Sequence, residues 1–182
     1  MRIISGTFKG RKIEPPKQLP VRPTTDMAKE ALFNILNNSY NLSEVSVLDL
    51  YAGTGSISYE FASRGTKHIT SVDSNYLCAK FIRQTAEKIN LPIQVVKADV
   101  FKYLNHLNTK YDIIFADPPY QYSIENYTTL VSTIFNNNLL SEYGILILEH
   151  EKQKDLSSID YFAEARNYGG CVFSFFEKPQ AS

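Results

Sequence analysis

A chain of 182 residues has room for one ordinary domain with a short appendage, but not for two independent domains. A hydrophobic fraction of 43%, with 12 tyrosines and 11 phenylalanines, supplies a buried core, and 21% charged residues is ordinary for a globular chain, which excludes extensive disorder. The formal net charge is zero, yet residues 1–22 carry Arg2, Lys9, Arg11, Lys12, Lys17 and Arg22 against Glu14 alone, so an arm at +5 precedes a body at −5.

The opening MRIISGTFKG lacks the apolar run of a signal peptide. Nowhere does the sequence hold the roughly 18 uninterrupted apolar residues of a membrane helix, so a cytoplasmic protein is expected. From Arg2 to Glu14, imperfect alternation around Gly6 and Gly10 suits a short hairpin. Pro15, Pro16, Pro20 and Pro23 then forbid regular helix, and Thr24, Thr25 or Asp26 can cap the helix predicted from about Asp26 to Asn37. The division this suggests is a basic arm over 1–23 and a main domain over 24–182.

From Val45 short apolar runs alternate with helical segments. Strands are predicted at 45–50, 67–72, 93–98, 111–116 and 144–149, with helices at 56–64, 74–90, 99–107 and 124–137 as crossovers between parallel neighbours. The tail breaks this rhythm. Two strand-like segments at 160–166 and 171–176 are joined through Gly169-Gly170 without a helix, and should pair antiparallel. The fold class expected is α/β, Rossmann-like, with a mostly parallel sheet closed by an antiparallel C-terminal hairpin.

The first chemical site is VLDLYAGTGS, Val47–Ser56, a buried strand entering a glycine turn and then a helix. Without Cβ atoms at Gly53 and Gly55 a ligand can approach the backbone at Tyr51 and Ala52, and the free amides of the helix start can meet its polar groups. Asp73, eighteen residues after Gly55, stands where an acid can accept hydrogen bonds from ribose hydroxyls. Asp99, with Val100 beside it, ends the third strand and can meet an adenine amino group; both acids also precede helices and suit caps. A nicotinamide dinucleotide would use the same geometry, but Ser58 stands where its fingerprint needs a third glycine. Asp49, aimed at the turn, suits a cationic amino-acid moiety better than a pyrophosphate, which favours S-adenosylmethionine.

Asp117-Pro118-Pro119-Tyr120, directly after the apolar strand YDIIFA, is the specific motif. An aromatic amino nitrogen is a poor nucleophile because its lone pair is delocalised into the ring. The Asp117 carboxylate and the Pro118 carbonyl can accept its two N–H bonds and align it with a sulfonium methyl, while the two prolines keep the carbonyl aimed. Tyr120 offers a stacking face to a base drawn from its helix. His68, His106 and His150 show no ligand spacing, so no metal is expected, and Cys78 and Cys171, in no CxxC pair, read as buried free thiols.

MRIISGTFKGRKI, then RPTTDMAKEALFNIL from Arg22 to Leu36, then LDLYAGTGS and FADPPY, resemble the bacterial guanine N2-methyltransferases of small-subunit ribosomal RNA of the RsmD type. The resemblance implies a seven-stranded methyltransferase fold, S-adenosylmethionine as donor, and as acceptor a guanine of 16S rRNA in an assembling small subunit. On matching positions it implies donor binding by Asp49, Gly53 and Gly55, ribose binding by Asp73, adenine binding by Asp99, and target-base binding by Asp117–Tyr120. A monomer is expected. The basic residues Arg2, Lys9, Arg11, Lys12 and Arg22 are the candidate RNA contacts, and removal of residues 1–14 is expected to leave donor binding unchanged.

Two alternatives use the same residues differently. A DNA adenine or cytosine amino-methyltransferase shares the D-P-P-Y chemistry, but sequence-specific DNA enzymes generally need a recognition region, and only residues 1–44 precede the first predicted strand. An RNA-binding assembly factor without transfer would not need Asp117.

Overall fold

The computed structural model describes residues 1–181. Its elements run α1 (Asp26–Ser39), β1 (Ser46–Leu50), α2 (Ser56–Ser63), β2 (His68–Asp73), α3 (Tyr76–Lys88), β3 (Ile93–Lys97), α4 (Val100–His106), β4 (Tyr111–Ala116), α5 (Ile124–Asn136), β5 (Leu140–Glu151), β6 (Phe162–Tyr168) and β7 (Cys171–Glu177). The seven strands form one sheet in the order β3-β2-β1-β4-β5-β7-β6. Strands β1 to β5 pair parallel, and β7 pairs antiparallel with both β5 and β6. The expected mostly parallel sheet with an antiparallel C-terminal hairpin is what the chain forms.

Apolar residues at successive strand positions explain the layers. Val47, Ile113, Phe115, Ile147, Phe173 and Phe175 face one way, against Leu32, Phe33 and Leu36 of α1, Ile57 and Phe61 of α2 and Ile82 of α3. Their immediate neighbours Leu48, Ile114, Ala116, Leu146, Leu148 and Phe176 face the other, against Leu104 of α4 and Tyr127, Leu130, Val131 and Ile134 of α5. Both sheet faces are therefore covered, which is why these strands read as continuous apolar runs. Thr25 caps α1 by accepting from the Ala28 amide, and Ser123 caps α5 within a capping box with Asn126.

Four sequence expectations change. The segment Arg2–Glu14 is not a regular hairpin: a single antiparallel bridge, Arg2 with Lys12, closes it, because Gly6 and Gly10 take left-handed conformations and the chain between turns on itself. Strand β5 starts at Leu140 rather than 144, since the Tyr111 amide bonds to the Leu139 carbonyl and Tyr111 pairs with Leu140 ahead of a register shift. Cys78 is buried, but Cys171, the first residue of β7 beside the Gly169-Gly170 turn, is only partly so.

The fourth concerns the arm, which packs onto the domain. Ile3 and Ile13 are buried in the cluster under α1 and α2, the Thr7 amide bonds to the Ser63 carbonyl, and the Phe8 amide to the Ser63 hydroxyl. Glu60 of α2, wholly buried, accepts from the amides of Ile4 and Ser5 and from Arg64 Nε. Lys29 of α1 donates to the Arg2 carbonyl and to the Ser56 hydroxyl, with its ammonium 3.8 Å from Glu60. A core that closes without residues 1–14 does not fit these contacts.

Candidate active site

The order of strands places β1 at the centre, with β2 on one side and β4 on the other, so the chain reverses its direction of winding between β1 and β4. Open α/β sheets bind ligands at the carboxyl ends of strands at such a point. Val72, Leu50, Ala116 and Leu148 lie in register across β2, β1, β4 and β5. The residues that follow them are Asp73, Tyr51, Asp117 and Glu149, so three carboxylates and a tyrosine form a single row along the rim.

The glycine turn occupies the rim beyond β1. Tyr51, Gly53 and Gly55 all take positive φ, of 55°, 58° and 83°. Of these only Tyr51 carries a Cβ, and its hydroxyl shares a 2.8 Å hydrogen bond with the Tyr122 hydroxyl. The turn is held by Ala52 N to Val72 O and Gly55 N to Ala52 O, and by the Gly53 amide donating to Asp73 Oδ2 at 2.9 Å. A Cβ at Gly55 would lie 2.7 Å from the Tyr59 ring carbon Cζ, so close packing against α2 requires this glycine. Val21 lies over Gly53, its Cγ1 3.3 Å from where a Cβ would stand.

Asp73 accepts from Gly53 N and Asn75 N, while Asn75, not Asp73, caps α3. Each Asp73 oxygen keeps a second lone pair. Asp99 caps α4 through the Lys102 amide at 3.0 Å, so its carboxylate does the structural work foreseen for it, and the Val100 side chain is buried in the core beneath α4. Ala52 is half-buried next to the turn.

Asp49 sits one layer below the rim and is 1% exposed. Its Oδ2 accepts from the Ser58 hydroxyl at 2.6 Å, and Ser58 also bonds to Ser71 Oγ. Burial pushes the Asp49 carboxyl up to about 7, with Asp73 adding to the rise and Ser58 opposing it. Ser58, which in sequence only spoiled a dinucleotide fingerprint, is thus the hydroxyl that satisfies this acid. Among the described residues no cation pairs with Asp49, and a bound ammonium group would fit that charge.

Pro118 is buried and Pro119 exposed, while Tyr120 projects with 69% of its surface open. Lys154 Nζ donates to the Tyr120 carbonyl, and Tyr122 N to the Pro119 carbonyl, which fixes the turn after β4. The Asp117 carboxyl is held well above the usual carboxylate range by burial, then by the charges of Glu149 and Asp49. Glu149 is likewise raised by burial, partly offset by a hydrogen bond from the Thr24 hydroxyl at 2.8 Å. Glu149 belongs to no motif singled out in the sequence. Its signal was ILILE within β5, an apolar run followed by an acid, as IIFAD is where β4 ends.

The structure gathers Asp49, Tyr51, Ala52, Gly53, Gly55, Asp73 and Asp117–Tyr120 around one rim. The arm's Arg2 pairs with Asp26 at 2.8 Å, and Lys9, Arg11, Lys12 and Arg22 are exposed. No cluster able to hold a metal ion occurs among the described residues, and no helix is long and apolar enough to cross a membrane.

The family model described as "Conserved hypothetical protein 95" matches residues 1–177. A Haemophilus influenzae protein named "Ribosomal RNA small subunit methyltransferase D" is 30% identical over 161 residues, covering 86% of this chain and 81% of its own. A hypothetical protein of Thermus thermophilus has the same fold, with a TM-score of 0.84 at 24% identity over 98% of this chain and 99% of that one. The T. thermophilus enzyme titled 16S rRNA N2 G1207 methyltransferase, in complex with AdoMet and guanosine, shares the fold at a TM-score of 0.67 and 19% identity, covering 86% of this chain and 44% of that one. With a family model over nearly all of the chain and a methyltransferase relative over most of it, this chain belongs to the conserved hypothetical protein 95 family and is an RsmD-type methyltransferase.

Proposed function

We propose that this protein transfers a methyl group from S-adenosylmethionine to the exocyclic N2 amino group of a guanine in 16S rRNA, within an assembling small subunit, acting as a cytoplasmic monomer. The observation that carries the reading is the rim itself, where Asp117-Pro118-Pro119-Tyr120 stands on the strand adjacent to the glycine turn and Asp73. The name of the H. influenzae relative and the titled contents of the T. thermophilus complex support the substrate class.

The residues fit the donor by their chemistry. A ribose diol can donate to the free lone pairs of Asp73, an ammonium can meet the buried Asp49 layer, and Gly53 admits close approach. Bound there, S-adenosylmethionine supplies an electrophilic methyl. Asp117 and the Pro118 carbonyl accept the N–H bonds of the target amine and localise its lone pair, and Tyr120 stacks on the base. Preorganisation by the two prolines lowers the rearrangement needed as positive charge develops on nitrogen. Lys9, Arg11, Lys12 and Arg22 contact phosphates.

Methyl transfer to undermodified small-subunit particles, free 16S rRNA and duplex DNA tests this. N2-methylguanine in the particle digest is the expected result, and methyl incorporation into DNA bases alone would replace it with the DNA reading. Asp117→Ala is expected to abolish transfer while calorimetry shows donor affinity intact, and Asp117→Asn to keep reduced activity, since an amide retains one acceptor but no charge. Full single-turnover activity in folded Asp117→Ala would remove Asp117 from the mechanism.

A further inference from the structure

Glu149 has no part in the reading above, although it is the neighbour of Asp117 across the sheet. The two residues follow an in-register pair, Ala116 and Leu148, on adjacent parallel strands, so their side chains leave the same face with a spacing of about 4.8 Å between strands. The Thr24 hydroxyl donates to Glu149 Oε2 at 2.8 Å. Thr24 belongs to the segment that also lays Val21 over Gly53, so one stretch of chain fixes both the glycine turn and this carboxylate.

The groups facing the pair are Asp49 from β1, Cys171 from β7, and Tyr127 from α5 with the Lys154 ammonium over its ring. Burial raises both carboxyls, and the charges of Glu149 and Asp49 raise Asp117 further, so full ionisation of the two together is disfavoured.

We propose that Glu149 is a positioning residue for the transfer: it shares one proton with Asp117, leaves the single negative charge facing the target amine, and makes the pair the acceptor of the proton that the amine releases. This rests on the base-methylation reading. The nitrogen lone pair forms the N–C bond as the C–S bonding pair returns to sulfur, which becomes neutral. Positive charge passes to the nitrogen, whose N–H proton moves to the singly charged pair. The products are a neutral secondary amine, a neutral thioether and two neutral carboxyls, which return a proton to solvent when the base leaves. A carboxylate pair sharing a proton is an established way of keeping one charge in a buried site.

The test combines a carbon NMR titration of the Asp117 carboxyl in the free protein with the pH profile of single-turnover methyl transfer. Glu149→Gln preserves shape and can still accept from Thr24, but removes the neighbouring charge. In the wild type Asp117 is expected to titrate in two steps, the upper one held up by the Glu149 charge. The variant is expected to abolish the upper step and leave a single midpoint about one unit or more below it, with the acid limb of the rate profile staying at the lower step and the KM for RNA unchanged. Thr24→Val, which keeps Glu149 but removes its hydrogen-bond donor, is expected to favour the proton on Glu149 and shift Asp117 the same way by less. An active wild type with an unmoved Asp117 midpoint in both variants would overturn the role of Glu149 alone. Linked midpoints in a wild type that methylates no base would overturn the transfer reading and, with it, this role.

Discussion

Asp49 shows how far burial alone can set the chemistry of a residue. Its carboxyl is lifted from 3.8 to about 7 in the folded protein, so the fold holds this proton more tightly than the unfolded chain does. Below about 3.8 Asp49 imposes no penalty; as pH rises toward about 7 its ionisation progressively costs stability, and above that the cost is complete. Relative to Asp49→Asn, the wild type is therefore expected to lose stability across that window, by on the order of 2–4 kcal/mol. Denaturant unfolding of both proteins across the pH range measures it, and a pH-independent difference would mean that Asp49 ionises freely. Asp73 is a different case, because it already serves the protein through Gly53 and Asn75. Asp73→Ala is expected to weaken donor binding by about 1.5–3 kcal/mol, the range for hydrogen bonds to a charged group. Unchanged affinity by calorimetry would reduce Asp73 to a turn-holding role. Both acids were legible in the sequence because they interrupt or close apolar strands, Asp49 within β1 and Asp73 at the end of β2; the Ser58 and Ser71 hydroxyls around Asp49 were not, because only α2 packing on β1 and β2 brings them together.

At the scale of elements, the N-terminal segment, α1 and α2 form one polar cluster inside an apolar layer. Lys29 and Glu60 are both buried, and burial lowers the Lys29 ammonium from its ordinary value while Glu60 opposes that shift. Arg64 still pairs with Glu60 when Lys29 is removed, but the Arg2 carbonyl and the Ser56 hydroxyl lose a charged donor, so Lys29→Ala is expected to cost about 1.5–3 kcal/mol. Chemical denaturation with an unchanged slope measures it, and a cost below about 1 kcal/mol would show that solvent reaches Glu60 in the variant. Deletion of residues 1–14 also strips two amide donors from Glu60 and exposes the surface under Ile3 and Ile13, a loss of about 3–6 kcal/mol for the two side chains. Lower thermal stability with weakened donor binding is the expected result, because Lys29 ties this segment to Ser56 at the start of α2. The helices and strands after Val45 were legible because periodicity and breaker residues act locally. The packed state of the arm was not, since the alternation of Ile3, Ile4, Phe8 and Ile13 says that a face is apolar but not what will cover it.

Across the whole molecule, a neutral chain divides into a +5 segment and a −5 remainder, and the exposed Lys9, Arg11 and Lys12 project from the packed arm. Replacing these three by alanine leaves Ile3, Ile13 and the Glu60 contacts in place, so it separates phosphate binding from stability better than truncation does. The logarithmic salt slope of RNA binding is expected to fall in magnitude by about 2, from roughly 0.7 per phosphate contact, with the melting temperature and donor affinity nearly unchanged. An unaltered slope would mean that the charges are only solvated. The sequence by itself determined the α/β rhythm, the antiparallel ending signalled by Gly169-Gly170, the glycine turn and the D-P-P-Y motif, because each is written in neighbouring residues whose conformational preferences do not depend on distant partners. Only the tertiary structure decided that Glu149 stands beside Asp117 under Thr24, that Ser58 satisfies Asp49, and that the basic arm is built into the core: these join residues far apart in the chain, and strand order, register and burial, which no local pattern encodes, set their distances and their charges.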